Sequence, residues 1–220
     1  MDGFILSEME QDTYKISGLI RNGDHVLDVG ANIGAFALYV KSQCPGARII
    51  CVEPMPSNIS ILEQNVYGLA KIECVALVGR RGMVTLYDFG LDASACHSIY
   101  DLGCEGAIPI QVVGDTLQNI LQRNGIDRLR FLKLDCQGGE YEIIPNTPFD
   151  ILEKVDYIAM EVHSMIAKHR CVLGTIPEYE VKKEKLYQHL SKTHSLIVGN
   201  AKDDSIQLWQ NKRFGGGNEQ

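Results

Sequence analysis

Gly23–Phe36 reads GDHVLDVGANIGAF, and Ile49–Pro54, about one βα unit later, reads IICVEP. An apolar strand runs into a glycine-punctuated turn and then a helix, and the next strand ends in an acid, Glu53. This pattern holds a nucleoside: the turn lets backbone come close, and the acid meets the ribose hydroxyls. The simplest competing reading is that Gly30 and Gly34 only allow a tight strand-to-helix turn.

The turn also says which nucleoside. A dinucleotide fingerprint needs G-x-G-x-x-G and a helix N-terminus free to meet pyrophosphate. Here the run is Gly30-Ala31-Asn32-Ile33-Gly34, with Asn32 at the middle position, Phe36 further on, and Asp28 two residues ahead of Gly30. A carboxylate so placed repels a pyrophosphate but favours a cationic, amino-acid-bearing cofactor. S-adenosyl-L-methionine has a sulfonium, an ammonium and no phosphate. In this reading Glu53 accepts from the ribose diol, while Asp28 and the amides around Gly30–Gly34 hold the methionine end. Asn32 bonds that end or caps the helix, Ala76-Leu77 flanks the adenine, and Ser94 and Ser98 are within reach of the cofactor carboxylate.

Bulk properties narrow the class. The chain has 220 residues, 45% hydrophobic, with a formal charge of -7. That length suits one α/β domain, assigned to residues 1–213, with a flexible tail at 214–220. The acidic balance argues against nucleic acid as a partner, since phosphate contacts need a positive surface. No apolar run is long enough for a membrane span, and no signal peptide is evident at the N-terminus. Seven cysteines without a CxxC pair read as reduced thiols in a cytoplasmic protein. Oligomeric state is not legible.

Strand and helix alternate along the chain. Ser7 and Glu10 have capping-box spacing, which predicts a helix over about 8–21. Strands are expected at 25–29, 48–52, 71–77, 83–87, 108–113, 130–134 and 157–162. Helices are expected at 33–42, from 56 to about 66, from a cap at Asp115 to Arg123, and at 176–193 with Pro177 in the first turn. Residues 88–106 read as a loop, and 196–198 with 206–209 as a terminal antiparallel hairpin. The result is a Rossmann-like, doubly wound, mostly parallel sheet with one antiparallel strand near its edge. Ligands in such sheets lie beyond the carboxyl ends of the strands. Asp28, Glu53, Asp135 and Glu161–His163 all fall at or just after such ends.

These segments together resemble the FkbM family of S-adenosylmethionine-dependent methyltransferases. The D-x-G-A-N-x-G turn is matched by Asp28–Gly34, the V-E-P strand end by Val52-Glu53-Pro54, and the T-L-D-like helix start by Gly114–Leu117. The K-x-D-x-E-G-x-E run is matched by Lys133–Glu140, and the E-x-H run by Glu161-Val162-His163. The similarity covers about residues 20–165. It implies a class I methyltransferase fold, S-adenosyl-L-methionine as cofactor, and O-methylation of a hydroxyl on a small molecule such as a sugar or secondary metabolite. Two departures stand out. Gln137 occupies a usual Glu position, and the acid of T-L-D is displaced to Asp115, which reads as a helix cap.

O-methylation needs an aligned acceptor and a route for its proton. His163 is the candidate base, because an imidazole titrates near neutral pH; a structural histidine is the bland reading. Asp135 accepts a substrate hydroxyl, orients His163, or is itself the base. Lys133 shares a strand face with Asp135 and pairs with it or with Glu161. Glu140 and Glu161 are assigned to substrate, Glu140 with a helix N-terminus as its alternative role. His97 lies in a loop near the site. Asp135, Glu161 and His163 are a conceivable divalent-cation set, but Gln137 weakens a metal there and none is expected. The alternatives are a nitrogen or carboxylate acceptor, and an inactive nucleoside-binding partner module.

Overall fold

The computed structural model describes residues 12–89, 97–168, 171–199 and 206–214. Its frame is β1 (His25–Val29), α1 (Ala35–Gln43), β2 (Arg48–Val52), α2 (Pro56–Asn65) and β3 (Ala70–Glu73). Then come β4 (Ala76–Leu77), β5 (Gly82–Asp88), β6 (His97–Ser98), β7 (Ile108–Asp115), α3 (Leu117–Arg123), β8 (Leu129–Leu134), α4 (Glu140–Asn146) and α5 (Phe149–Leu152). The rest is β9 (Val155–Glu161), β10 (Met165–Lys168), β11 (Cys171–Thr175), α6 (Tyr179–Leu190), β12 (His194–Val198) and β13 (Ile206–Asn211).

The main sheet has the order β12-β13-β9-β8-β1-β2-β3. Strands β3, β2, β1, β8 and β9 run parallel, and β13 inserts antiparallel between β9 and β12. The chain first winds outward through β2 and β3, then crosses to β8 and β9, so β1 and β8 flank the topological switch point. Period-two alternation sorts the side chains. Leu27, Ile50 and Leu132 pack with α3 and α4 on one face, while Val26, Ile49 and Phe131 pack with α1 on the other. The predicted terminal hairpin and edge antiparallel strand are present.

Several local expectations differ. Residues 12–21 form turns rather than helix, and residues 8–11 lie outside the described ones. Asp12 and Lys15 have φ of 48° and 56°, and the Asp12 carboxylate accepts the Ile16 and Ser17 amides at 2.8 and 3.2 Å. Such local bonds compete with helix. The single strand expected at 71–77 breaks at Glu73, whose carboxylate pairs with Arg123; Ala76–Leu77 then joins a second sheet, β4-β7-β5-β6. The expected loop at 88–106 contributes β6 to that sheet. Thr116, not Asp115, caps α3 through its side chain, accepting from the Asn119 amide. Asp115 is the last residue of β7 and pairs with Arg123. Helix α6 starts at Tyr179, two residues after Pro177. The 215–220 part of the tail lies outside the described residues, and Phe214 ends a turn.

His194, the first residue of β12, is fully buried, and its Nε2 lies 3.0 Å from the Val155 carbonyl at the start of β9. Burial holds its pKa down at about 4. A folded-state pKa below the unfolded one means that this stabilisation is complete above about pH 6.5 and is lost as pH falls towards 4, by at most about 3 kcal/mol. Urea midpoints at about pH 7.5 and about pH 4.5 should therefore fall more for the native chain than for His194→Gln. Equal falls would mean that His194 does not govern acid stability.

Candidate active site

The carboxyl ends of β1, β2 and β8 open into a cleft of about 580 Å³, part of it open to solvent. Val29, Gly30, Asn32, Glu53, Asp135 and Gln137 form its polar and backbone side, and Val52, Pro54, Ala76, Leu77, Leu86 and Ile99 its apolar side. His97 also lines it, 3.3 Å from Asp88. Ala76 thus stands where the sequence puts it, although on a different sheet.

Close backbone approach defines the turn. Gly30 has φ 71°, and a Cβ there would lie 1.9 Å from the Asp135 carbonyl oxygen. The turn's amides are already engaged. Those of Gly30 and Ala31 donate to the Val52 carbonyl at 3.1 and 3.2 Å, and that of Asn32 donates to Glu53 Oε2 at 2.8 Å. The expectation that these amides grip a ligand is therefore corrected for all three. Asn32 sits at φ 49°, a conformation asparagine tolerates better than most residues, and its side-chain oxygen is buried without a hydrogen-bond partner. It does not cap α1, where the cap position is Gly34 without a side-chain bond. Gly34 does not line the cleft: a Cβ there would strike Val66 and Leu62, so it serves the packing of α1 on α2.

Glu53 is 4% exposed. Besides Asn32, it accepts the Met55 amide at 3.0 Å and the Asn58 side-chain amide at 3.3 Å. Burial raises its pKa, and these bonds partly offset the rise.

Asp28 is the main relocation. Alternation puts its fully buried side chain on the α1 face of the sheet, away from the cleft lining, with Oδ1 3.1 Å from Lys133 Nζ. Lys133 Nζ also donates to the Gly30 carbonyl at 2.9 Å and lies 3.6 Å from Asp135 Oδ2. Burial alone lowers a lysine pKa, but Asp28 and Asp135 outweigh it and push Lys133 up. Lys133 is therefore a buried positioning cation, not a proton carrier open to substrate, and it pairs with Asp28 and Asp135 rather than with Glu161.

Asp135 is held from several sides. Its Oδ2 accepts the Tyr14 hydroxyl at 2.8 Å, and its Oδ1 lies 3.9 Å from His163 Nε2. Burial tends to raise its pKa, but Lys133, His163 and the Tyr14 bond hold it below the usual carboxylate value. Tyr14 is a site residue that sequence reasoning missed. Both Tyr14 and Ile16 are buried, two positions apart in the turn-rich stretch before β1.

His163 and Glu140 form a buried pair. Glu140 Oε1 accepts the His163 amide at 3.0 Å and lies 3.2 Å from Nδ1, while Oε2 accepts the Gly138 amide at 3.1 Å. Glu140 is fully buried and lines no part of the cleft, so its assignment to substrate gives way to orienting His163. Nε2 points instead towards Asp135 and, at 3.6 Å, Glu161 Oε1. Burial works against the charged ring, but Glu140, Glu161 and Asp135 outweigh it and push its pKa up to about 10. The surrounding carboxylates thus favour the protonated ring, an environment unlike that of the unperturbed imidazole expected from the sequence. Glu161 is the most open member, its side chain 37% exposed.

Ser98 is corrected too. It is buried, donates to the Gln137 carbonyl at 2.7 Å and accepts from the Tyr100 amide at 3.1 Å, so it ties β6 to the loop after β8. Ser94 lies outside the described residues.

The family model of the methyltransferase FkbM domain matches residues 28–190. Methyltransferase sdnD of Sordaria araneosa is 26% identical over 192 residues, 72% of this chain and 73% of that protein. The 31-O-demethyl-FK506 methyltransferase FkbM of Streptomyces tacrolimicus is 25% identical over 176 residues, 66% of this chain and 68% of that protein. The AMB antimetabolite synthetase AmbE of Pseudomonas aeruginosa is 28% identical over 190 residues, 69% of this chain but 9% of that much longer protein. Among solved structures, one described as an rRNA methylase from Clostridium thermocellum aligns with TM-score 0.51 at 11% identity, covering 93% of this chain and 97% of that one. One described as a caffeoyl-CoA O-methyltransferase from Staphylococcus aureus aligns with TM-score 0.50 at 11% identity, covering 96% and 84%. At such identity these two speak for the fold alone.

Proposed function

The chain belongs to the FkbM methyltransferase family, and from that premise we propose that it methylates a hydroxyl group of a small molecule. S-adenosyl-L-methionine is the cofactor, and when bound it would supply a sulfonium-activated methyl group for in-line transfer to an acceptor oxygen, with S-adenosylhomocysteine as the leaving group. The observation that carries the reading is a cleft lined by two carboxylates, Glu53 and Asp135, with no phosphate cradle among the described residues. The amides of Gly30, Ala31 and Asn32 are spent on Val52 and Glu53, so nothing in the turn invites a pyrophosphate.

The residues divide the work. Glu53 accepts from the ribose hydroxyls, and Ala76 and Leu77 wall the base. The unpartnered Asn32 oxygen faces a donor of the cofactor. Asp28 and Lys133 act from behind the turn, fixing Gly30 and Asp135. The acceptor hydroxyl enters at the rim formed by Asp135, Glu161 and His163. Its proton departs to solvent by way of the exposed Glu161; an oxygen acquiring a third substituent takes on oxonium character and becomes strongly acidic, so no strong base is required.

Among the described residues, no helix is long and apolar enough to cross a membrane. Cys44, Cys51, Cys74, Cys104 and Cys136 are free thiols.

Calorimetry with S-adenosylhomocysteine tests the cofactor site. Glu53→Ala should weaken binding by roughly 100-fold, the scale of charged hydrogen bonds to a diol, with Glu53→Gln intermediate. If the native chain binds no S-adenosylhomocysteine, the cofactor site is misplaced. Mass analysis of a methylated product then distinguishes oxygen from nitrogen or carboxylate as acceptor.

A further inference from the structure

We propose that Asp135, Glu161 and His163 hold one divalent transition-metal cation, Mn2+ or Zn2+, at the mouth of the cleft. One ligand atom from each lies within 4.8 Å of the others. His163 Nε2 is 3.9 Å from Asp135 Oδ1 and 3.6 Å from Glu161 Oε1. These separations are too long for hydrogen bonds. They are near the roughly 3.4 Å between ligands that share a tetrahedral ion at about 2.1 Å.

A second observation points to a ligand. The His163 side chain is 8% exposed, and its Nδ1 is anchored on Glu140. Its Nε2 makes no hydrogen bond and is aimed into the space between the two carboxylates, where a bound cation would displace the proton that they favour on the ring. A ring nitrogen fixed by a buried carboxylate, with the other nitrogen presented, is the arrangement that supports metal-bound imidazoles.

Asp135 is divided in a matching way. Tyr14 and Lys133 take the Oδ2 side, which leaves Oδ1 turned to the cluster. Glu161, the exposed member, leaves the far side open for water or acceptor. One imidazole with two carboxylates suits Mn2+ and Zn2+ better than a soft, thiolate-seeking ion. An acceptor hydroxyl bound to the cation loses its proton more readily. That last step rests on the methyltransferase reading; the binding of the cation does not.

The test is Mn2+ titration of the full chain followed by electron paramagnetic resonance, repeated with Zn2+ by calorimetry. One Mn2+ per chain is expected, with affinity at least about tenfold weaker in Glu161→Gln and in His163→Gln. S-adenosylhomocysteine affinity in Glu161→Gln should stay within about twofold of native, which shows that the variant is folded. Native binding of Mn2+ and Zn2+ no tighter than in the Glu161→Gln, His163→Gln double variant overturns the metal site. The cofactor titration reads the methyltransferase assignment separately, so the two failures are distinguishable.

Discussion

Lys133→Met is expected to destabilise the fold by about 3–5 kcal/mol, the cost of leaving a buried charge without its partner. Methionine keeps most of the side-chain volume, so the loss is electrostatic. Asp28 has no exposed surface, and neither of its oxygens makes another hydrogen bond. Burial already raises its pKa, and the Lys133 ammonium is the main opposing influence. Without Lys133, the Asp28 carboxyl must take up a proton or the turn must open to water. Asp135 loses the same cation, and the Gly30 carbonyl loses a donor. Thermal unfolding should fall by roughly 10 °C for a chain of this size. The double variant Asp28→Asn, Lys133→Met should recover much of the loss, because it removes both charges. A single variant that melts within about 2 °C of native would show that the pair carries little stability.

The main sheet was legible because its strands are long apolar runs, punctuated by glycine and by acids at their ends. His25–Val29, Arg48–Val52, Leu129–Leu134 and Val155–Glu161 are all of this kind. The second sheet was harder to see. Its strands β4 and β6 have two residues each, too short for any period to emerge. The break at Glu73 was also hidden: the Glu73 carboxylate is tied to Arg123, fifty positions away in sequence, a contact no local pattern announces. In the candidate site, the positions of Glu53, Asp135, Glu161 and His163 at or just after strand ends were legible in the sequence. What the residues do there was not readable from type alone. Asp28 belongs to the α1 face by strand alternation, and Glu140 is committed to His163 by the tight Gly138-Gly139 turn. Only the three-dimensional grouping of carboxylates around His163 reveals why its pKa is pushed up.

Gly30→Ala should abolish measurable S-adenosylhomocysteine binding, a loss beyond about 100-fold, while a matched glycine variant elsewhere leaves it intact. Two effects act at Gly30. Its φ of 71° costs an alanine about 1–2 kcal/mol through the clash of Cβ with its own backbone. The added Cβ would also stand 1.9 Å from the Asp135 carbonyl oxygen, which is backbone and cannot swing aside. Relief requires β1 and the chain after β8 to separate by more than an ångström at the floor of the cleft. That movement carries the Gly30 and Ala31 amides away from the Val52 carbonyl, and Asn32 away from Glu53. Gly68 separates the two effects: its φ is 70°, but a Cβ there meets nothing within 4 Å. Gly68→Ala should therefore show the backbone cost in its melting temperature and no change in cofactor affinity. Equal behaviour of the two variants would mean that conformational freedom is all Gly30 provides. A selective loss at Gly30 would show that the cleft depends on two backbones lying closer than any side chain permits.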